Sequence, residues 1–189
     1  MVRAVGRCHQ IVALLVLVVA CQAHSAASSV EGVAAVEKIT LSSTAFKPGE
    51  PIPKKHTCTS DDVSPPLNWS GVPASAKSLV LICDDPDAPR GTWVHWVLYD
   101  LDPKATSLPE SVAKDRGGPA GSKQGTNDFK RIGFGGPCPP PGKPHRYFFK
   151  LYAIDKSLGW DAGAAKAEVM RAIEGHIVGQ GELFGTFER

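Results

Sequence analysis

Three stretches of this chain carry side chains that folding alone does not call for. Asp84-Asp-Pro-Asp-Ala-Pro89 sets three carboxylates within four positions, where they repel one another, and its two prolines make each X-Pro bond a candidate for the cis form. Trp93-Val-His-Trp96 sets an imidazole among aromatic rings, a group suited to proton transfer or hydrogen bonding near neutral pH. Gly133-Phe-Gly-Gly-Pro-Cys-Pro-Pro-Pro-Gly-Lys-Pro-His-Arg-Tyr147 alternates glycines with prolines that stiffen the loop. The glycines let successive backbone N–H groups converge, and donors near Gly135-Gly136 would make an anion cradle. Each stretch also has a plainer reading: a turn, a core histidine and a crossover loop.

The elements that must position these groups are strands. Residues 78–83 form a short apolar run ending in Cys83, the length of a strand buried on both faces. Residues 93–101 and 146–154 are rich in aromatic and β-branched side chains, and 182–187 can supply a last strand. Strict alternation puts His95 on one face with Trp93, Val97 and Tyr99, and His145 with Tyr147, Phe149 and Leu151. Arg146 and Lys150 then face the other way, toward solvent or a structural partner. One helix is expected over 164–176, with Val169, Met170, Ile173 and Ile177 on its apolar side and Gly175 and Gly179 ending it. The proline-rich segment 47–73 reads as irregular chain.

Composition narrows the function. The 189 residues include 19 Gly and 16 Pro, as a turn-rich, mainly β chain would. Lys and Arg number 21 against 19 Asp and Glu, a formal charge of +2, and no basic stripe marks a nucleic-acid binder. The first 25 residues read as a secretory leader: Arg3 and Arg7, an apolar run over 11–20, then small residues. That run is short of the roughly 20 residues a membrane span needs. Val18-Val-Ala-Cys21 has the form of a lipoprotein signal, in which Cys21 would be lipidated; cleavage near Ala23-His-Ser25 is the alternative. Residues 26–35 read as a flexible tether and 36–189 as one domain.

Beyond the leader stand Cys58, Cys83 and Cys138, so at most one bridge forms within a chain. Cys83 reads as a buried core residue. Cys58 and Cys138 lie in turn-rich loops and are the pair if a bridge exists; three reduced cysteines are the alternative.

Taken in order, DPDAP at 85–89, WxHW at 93–96 and GGPxPPxGxxHRYxFxLYA at 135–153 resemble the phosphatidylethanolamine-binding protein family. The likeness is nearest to its bacterial and archaeal, Raf kinase inhibitor-like branch. It extends to Ser64-Pro-Pro-Leu-Asn-Trp69, Gly125-Thr-Asn-Asp-Phe129 and Gly181-Glu-Leu-Phe-Gly185. The resemblance implies a β-sandwich-like fold with a large antiparallel sheet, a smaller sheet and one or two short helices. It also implies a pocket lined by Asp85, Asp87, Trp93, His95, Gly136, Pro137, His145 and Tyr147 that holds phosphate, acetate or a phosphoethanolamine head group. In that pocket Asp85 would keep a histidine in its charged, donating form.

The expectation is therefore an exported, non-enzymatic binding protein with a small anion-selective pocket and a regulatory role. An inhibitor of a protease or another extracytoplasmic protein is one alternative. A hydrolase using His95, His145 and Asp85 is another. His-x-x-x-His and Cys-x-x-Cys spacings are missing, so neither a metal nor a cofactor is expected. A homodimer is a further expectation. Asn68-Trp-Ser70 is a glycosylation sequon only in a eukaryotic secretory host. Phe129 and Phe134 read as tucked-in loop anchors or an exposed partner patch.

Overall fold

The computed structural model of the chain describes residues 1–2 and 35–189. The leader from residue 3 on, with Cys21, and the tether up to residue 34 lie outside the described residues. From residue 37 on, the order is β1 (Glu37–Lys38), β2 (Thr40–Ser42), β3 (Leu67–Ser70), β4 (Ser78–Asp85), β5 (Trp93–Leu101), β6 (Ser107–Leu108) and β7 (Lys123–Thr126). There follow β8 (His145–Ile154), β9 (Gly163–Ala165), α1 (Lys166–Ile173) and β10 (Ile177–Phe187). Seven strands form one sheet, ordered β1-β10-β8-β4-β5-β7-β9, and β2-β3-β6 form a second. The centre of the large sheet is antiparallel, but its two outermost pairs, β1 with β10 and β7 with β9, are parallel. The large sheet is therefore mixed rather than wholly antiparallel.

The apolar run 78–83 and the two aromatic and β-branched runs 93–101 and 146–154 are the three central strands, β4, β5 and β8. One face of these strands supplies Leu79, Leu81, Cys83, Trp96, Leu98, Phe149 and Leu151, packed against Leu41, Leu67 and Trp69 of the small sheet. The opposite face supplies Val80, Ile82, Val97 and Tyr99, packed against Val169 and Ile173 of α1. Each such side chain, fully buried, stabilises the fold by about 1.5–3 kcal/mol. The helix is shorter than its periodicity predicts. Residues 163–165 pair with β7 as a strand, and Glu174 leaves helical geometry before Gly175 turns at φ 75°. Ile177 consequently opens β10 instead of continuing the helical stripe.

Alternation fails at the place that matters most. Cys83 pairs with Trp96, but the next residue, Asp84, pairs with Val94, so His95 is an extra residue in β5. This β-bulge resets the side-chain phase. Val97 and Tyr99 go to the helix side, whereas His95 packs edge-on against Tyr147, in the core between the sheets, with ring centroids 5.2 Å apart. The expected grouping of His95 with Val97 and Tyr99 is thus corrected. The backbone groups around the bulge are taken up by loops. Val94 N–H donates to Asp128 Oδ2 at 2.7 Å, and Gly135 N–H donates to the His95 carbonyl at 2.9 Å.

Consecutive aspartates at the end of β4 part company. Asp84 turns to the helix side, fully buried, and accepts from Lys150 Nζ at 2.9 Å and from Lys166 Nζ at the start of α1. One buried carboxylate thereby clamps the helix to the sheet, and Lys150 is a structural partner rather than a solvent-side cation. Removing one partner of a buried pair strands the other charge. Asp84→Ala is expected to lose about 3 kcal/mol in urea unfolding, at the low end of the buried-pair range because both lysines keep some solvent. A loss under about 1 kcal/mol would show that the clamp contributes little beyond an ordinary surface pair.

Candidate functional site

The ends of β5, β4 and β8 lie side by side at one end of the large sheet, and each presents a polar group on the same face. Asp85 is paired in register with Trp93, and His145 opens β8 next to them. Asp85 and His145 are both almost fully buried, and their side chains meet at Oδ2–Nδ1 2.7 Å. An ionised carboxylate only accepts, so His145 Nδ1 carries the hydrogen and its Nε2 is left free. Asp85 Oδ1 accepts the Asp87 N–H at 2.8 Å, so both carboxylate oxygens are held. The bulge brings His95 to the same place. Its Nδ1–H donates to the Gly135 carbonyl at 2.6 Å, which again frees Nε2.

Around these groups lies a cavity of about 200 Å³, walled by Asp85, Trp93, His95, Phe129, Cys138 and His145 together with Ala88, Pro89, Pro139 and Pro140. Phe129 stands edge-on to both Trp93 and His95, at 5.4 and 5.3 Å. A larger depression of about 620 Å³ along Lys38–Leu41 brings together no comparable set of buried polar groups. Two donors near the imidazoles have no partner: the Trp93 indole N–H and the Tyr147 hydroxyl, both buried. Leaving such a group unsatisfied costs about 1–3 kcal/mol, so a ligand or water that accepts from it is favoured.

Burial, opposed by the Gly135 and Gly136 carbonyls and the charges of Asp85 and Asp128, holds the His95 pKa below its ordinary value. Burial first, then the Asp85 charge, pushes the Tyr147 phenol far up, so it remains a donor at any working pH.

Of the residues expected to form the pocket, Asp85, Trp93, His95 and His145 wall the cavity, and Tyr147 lies under His95. Asp87 is placed differently. Arg146 grips it with Nε at 2.9 Å, Nη2 at 2.8 Å and its backbone N–H at 3.0 Å, and the guanidinium lowers its pKa to about 2. Asp87 therefore ties the aspartate loop to β8. The X-Pro bonds at Pro86 and Pro89 are trans.

The backbone cradle expected near Gly135-Gly136 is not formed, because its donors are spent within the fold: Gly135 N–H on His95 and Gly136 N–H on Asp62 Oδ1 at 2.6 Å. These glycines are needed for space instead. A Cβ on Gly135 would lie 2.7 Å from the Phe129 ring, and one on Gly136 would lie 2.5 Å from the His56 carbonyl. Gly136 and Pro137 thus stand behind the wall, where the Pro137 carbonyl accepts from Cys58 N–H. Cys58 and Cys138 are joined in a disulfide and Cys83 is free and buried, which resolves the choice that the sequence left open. The wall roles of Phe129, Ala88 and Cys138 carried no residue-type signal of their own.

The profile of the phosphatidylethanolamine-binding protein family matches residues 42–188. The chain belongs to that family. A UPF0098 protein of Methanothermobacter thermautotrophicus is 48% identical over 151 residues, covering 80% of this chain and 99% of the relative. The CT736 protein of Chlamydia trachomatis, described as a homologue in this family, superposes with a TM-score of 0.74 at 42% identity, covering 81% of this chain and 99% of that one. Escherichia coli YbcL, described as a new member of the mammalian family, gives 0.75 at 34% identity, covering 80% and 98%. Among the described residues no group of three or more His, Cys, Asp or Glu could hold a metal ion.

The depressed His95 pKa has a consequence for stability. Between its folded and unfolded pKa values the unfolded chain binds the extra proton, so stability rises with pH through that window. The contribution is present above about 6.5, the unfolded value, and is lost as pH falls through the folded pKa. Urea midpoints of the unliganded protein should fall between pH 7.5 and 5, and His95→Gln should flatten that part of the profile. The Asp87 carboxyl titrates far below this range. An unchanged slope in His95→Gln would remove His95 as its source.

Proposed function

We propose that this protein is a non-enzymatic binding protein whose cavity takes a small anion, phosphate or a phosphoethanolamine-like head group. The observation that carries this reading is the convergence of two imidazoles, each with Nδ1 committed to a fixed acceptor, on a cavity walled also by Trp93, whose indole N–H has no partner, while the equally unpartnered Tyr147 hydroxyl belongs to the ring packed against His95. A neutral imidazole in this tautomer shows its Nε2 lone pair to the cavity, which repels an anion. Protonation turns that same atom into a charged donor. The Asp85 carboxylate accepts from His145 Nδ1 and can also accept from the ammonium of an ethanolamine-type ligand. A cavity of about 200 Å³ suits a head group and not a whole lipid.

In the same reading the leader exports the protein, to the periplasm or the medium or to a lipid anchor at Cys21. Ligand occupancy then regulates a protein target, with a homodimer as the working assembly. A second reading is favoured by the same convergence: the Asp85–His145 dyad has the geometry to position an imidazole for general acid–base hydrolysis of a phosphoester. Turnover of phosphoesters that is lost in His95→Ala would put catalysis ahead of binding.

Phosphate affinity, measured by titration calorimetry, should tighten as pH falls from 7.5 to 5.5, with most of the gain below 6.5 because the His95 pKa is lowered. Charge-assisted hydrogen bonds are worth about 1.5–3 kcal/mol, so His95→Ala should weaken binding at pH 5.5 by roughly 10- to 100-fold. Tyr147→Phe, which removes a neutral donor, should cost less. A pH-independent affinity would contradict the histidine mechanism.

A further inference from the structure

The wall of the cavity contains a sulfur that ligand binding does not require. Residues 138–144 include Pro139, Pro140, Pro141 and Pro144, which have no N–H to donate. Among the described residues this stretch makes no backbone–backbone hydrogen bond outside the regular strands. Upstream, the wall is anchored through Gly135, Gly136 and Pro137; downstream, His145 enters β8. Between those anchors, the bridge from Cys138 to Cys58, 80 residues away in sequence, is a covalent tie of the wall to the body.

The two cysteine residues are not equivalent. Cys58 is exposed, whereas Cys138 is half-buried and lines the cavity. Arg189 Nη1 donates to Cys138 Sγ at 3.7 Å, so a cation stands beside that end of the bridge.

We propose that the Cys58–Cys138 bridge is a thiol-exchange site: an external thiol attacks at Cys58, the more exposed residue of the pair, and release of Cys138 loosens the cavity wall. The incoming thiolate forms an S–S bond to Cys58 Sγ as the Cys58–Cys138 bond breaks, and the electron pair leaves on Cys138 Sγ beside the Arg189 guanidinium. A second thiolate then displaces Cys58 from the mixed disulfide. The external pair departs as its own disulfide, and the two protein sulfurs take up the two protons that the external thiols lost. The reductant is a low-molecular-weight thiol. Cys83, fully buried with its thiol pKa pushed up by burial and by the charges of Asp84 and Asp85, takes no part. Coupling of this exchange to ligand affinity rests on the reading of the cavity given above, whereas the chemistry of attack does not.

The test treats the folded, oxidised protein briefly with glutathione, traps free thiols with iodoacetamide and maps the adducts by peptide mass spectrometry. Glutathione is expected on Cys58 and the alkyl group on Cys138, and Arg189→Ala should slow the exchange at least threefold. Adducts chiefly on Cys138, or an Arg189→Ala rate within twofold of the parent, would overturn the assignment of attacking and leaving ends. The cavity is read by the Trp93 indole and His145 resonances of the adduct and by inorganic phosphate binding. Shifted resonances with at least a fivefold weaker phosphate affinity support the coupling. Resonances unchanged from the oxidised form overturn it. If phosphate binds neither form, the anion reading fails, and the resonances still decide whether the bridge controls the wall.

Discussion

The buried contact between Asp85 and His145 is the constraint around which the rest of the site is arranged. A carboxylate with almost no exposure is costly unless its charge is matched and its lone pairs are used. Here one oxygen is held by an imidazole and the other by the backbone of Asp87. That arrangement fixes the tautomer of His145 and the start of the aspartate loop, and it sets the side of the sheet on which the cavity opens. The neighbouring Asp84 meets the same requirement on the opposite face, with Lys150 and Lys166 as its partners. Two adjacent acids thus do separate jobs because strand alternation sends them through opposite faces of one sheet.

His95 reaches this centre by a different route. Regular pairing would have grouped it with Val97 and Tyr99, on the side where α1 packs. One extra residue in β5 returns it to the face shared with Asp85 and Tyr147. The loops that absorb the disturbed backbone, at Asp128 and Gly135, are the same loops that supply Phe129 and the proline wall. The bulge and the cavity wall therefore form one unit, in which Gly135 and Gly136 serve close packing rather than ligand contact.

Much of this was readable from residue types, and the exceptions have physical reasons. The central strands announced themselves because residues such as Leu81, Trp96 and Phe149 suit a sheet buried on both faces. The convergence of Asp85, Trp93, His95 and His145 was implied by the family resemblance that the ordered motifs carry, not by residue types alone. The bulge was not legible, since a period-2 pattern has no mark for one inserted residue. The first two residues of the expected helix, 164 and 165, belong instead to β9, which pairs with β7. The role of Asp87 was obscured because its partner, Arg146, lies 59 positions away and looked like a solvent-facing cation. The bridge between Cys58 and Cys138 needed the fold to bring two loops within 5.4 Å at Cα.

The most direct measurement is an inorganic phosphate titration of the protein with its histidines labelled with nitrogen-15, following both rings at pH 6. The account predicts that the Nε2 signals of His95 and His145 move together at one midpoint while each Nδ1 keeps its hydrogen-bonded signature. It also predicts that Asp85→Asn abolishes the shared response. Imidazole signals that ignore phosphate, or that respond at separate midpoints, would contradict a single anion-binding centre built on Asp85.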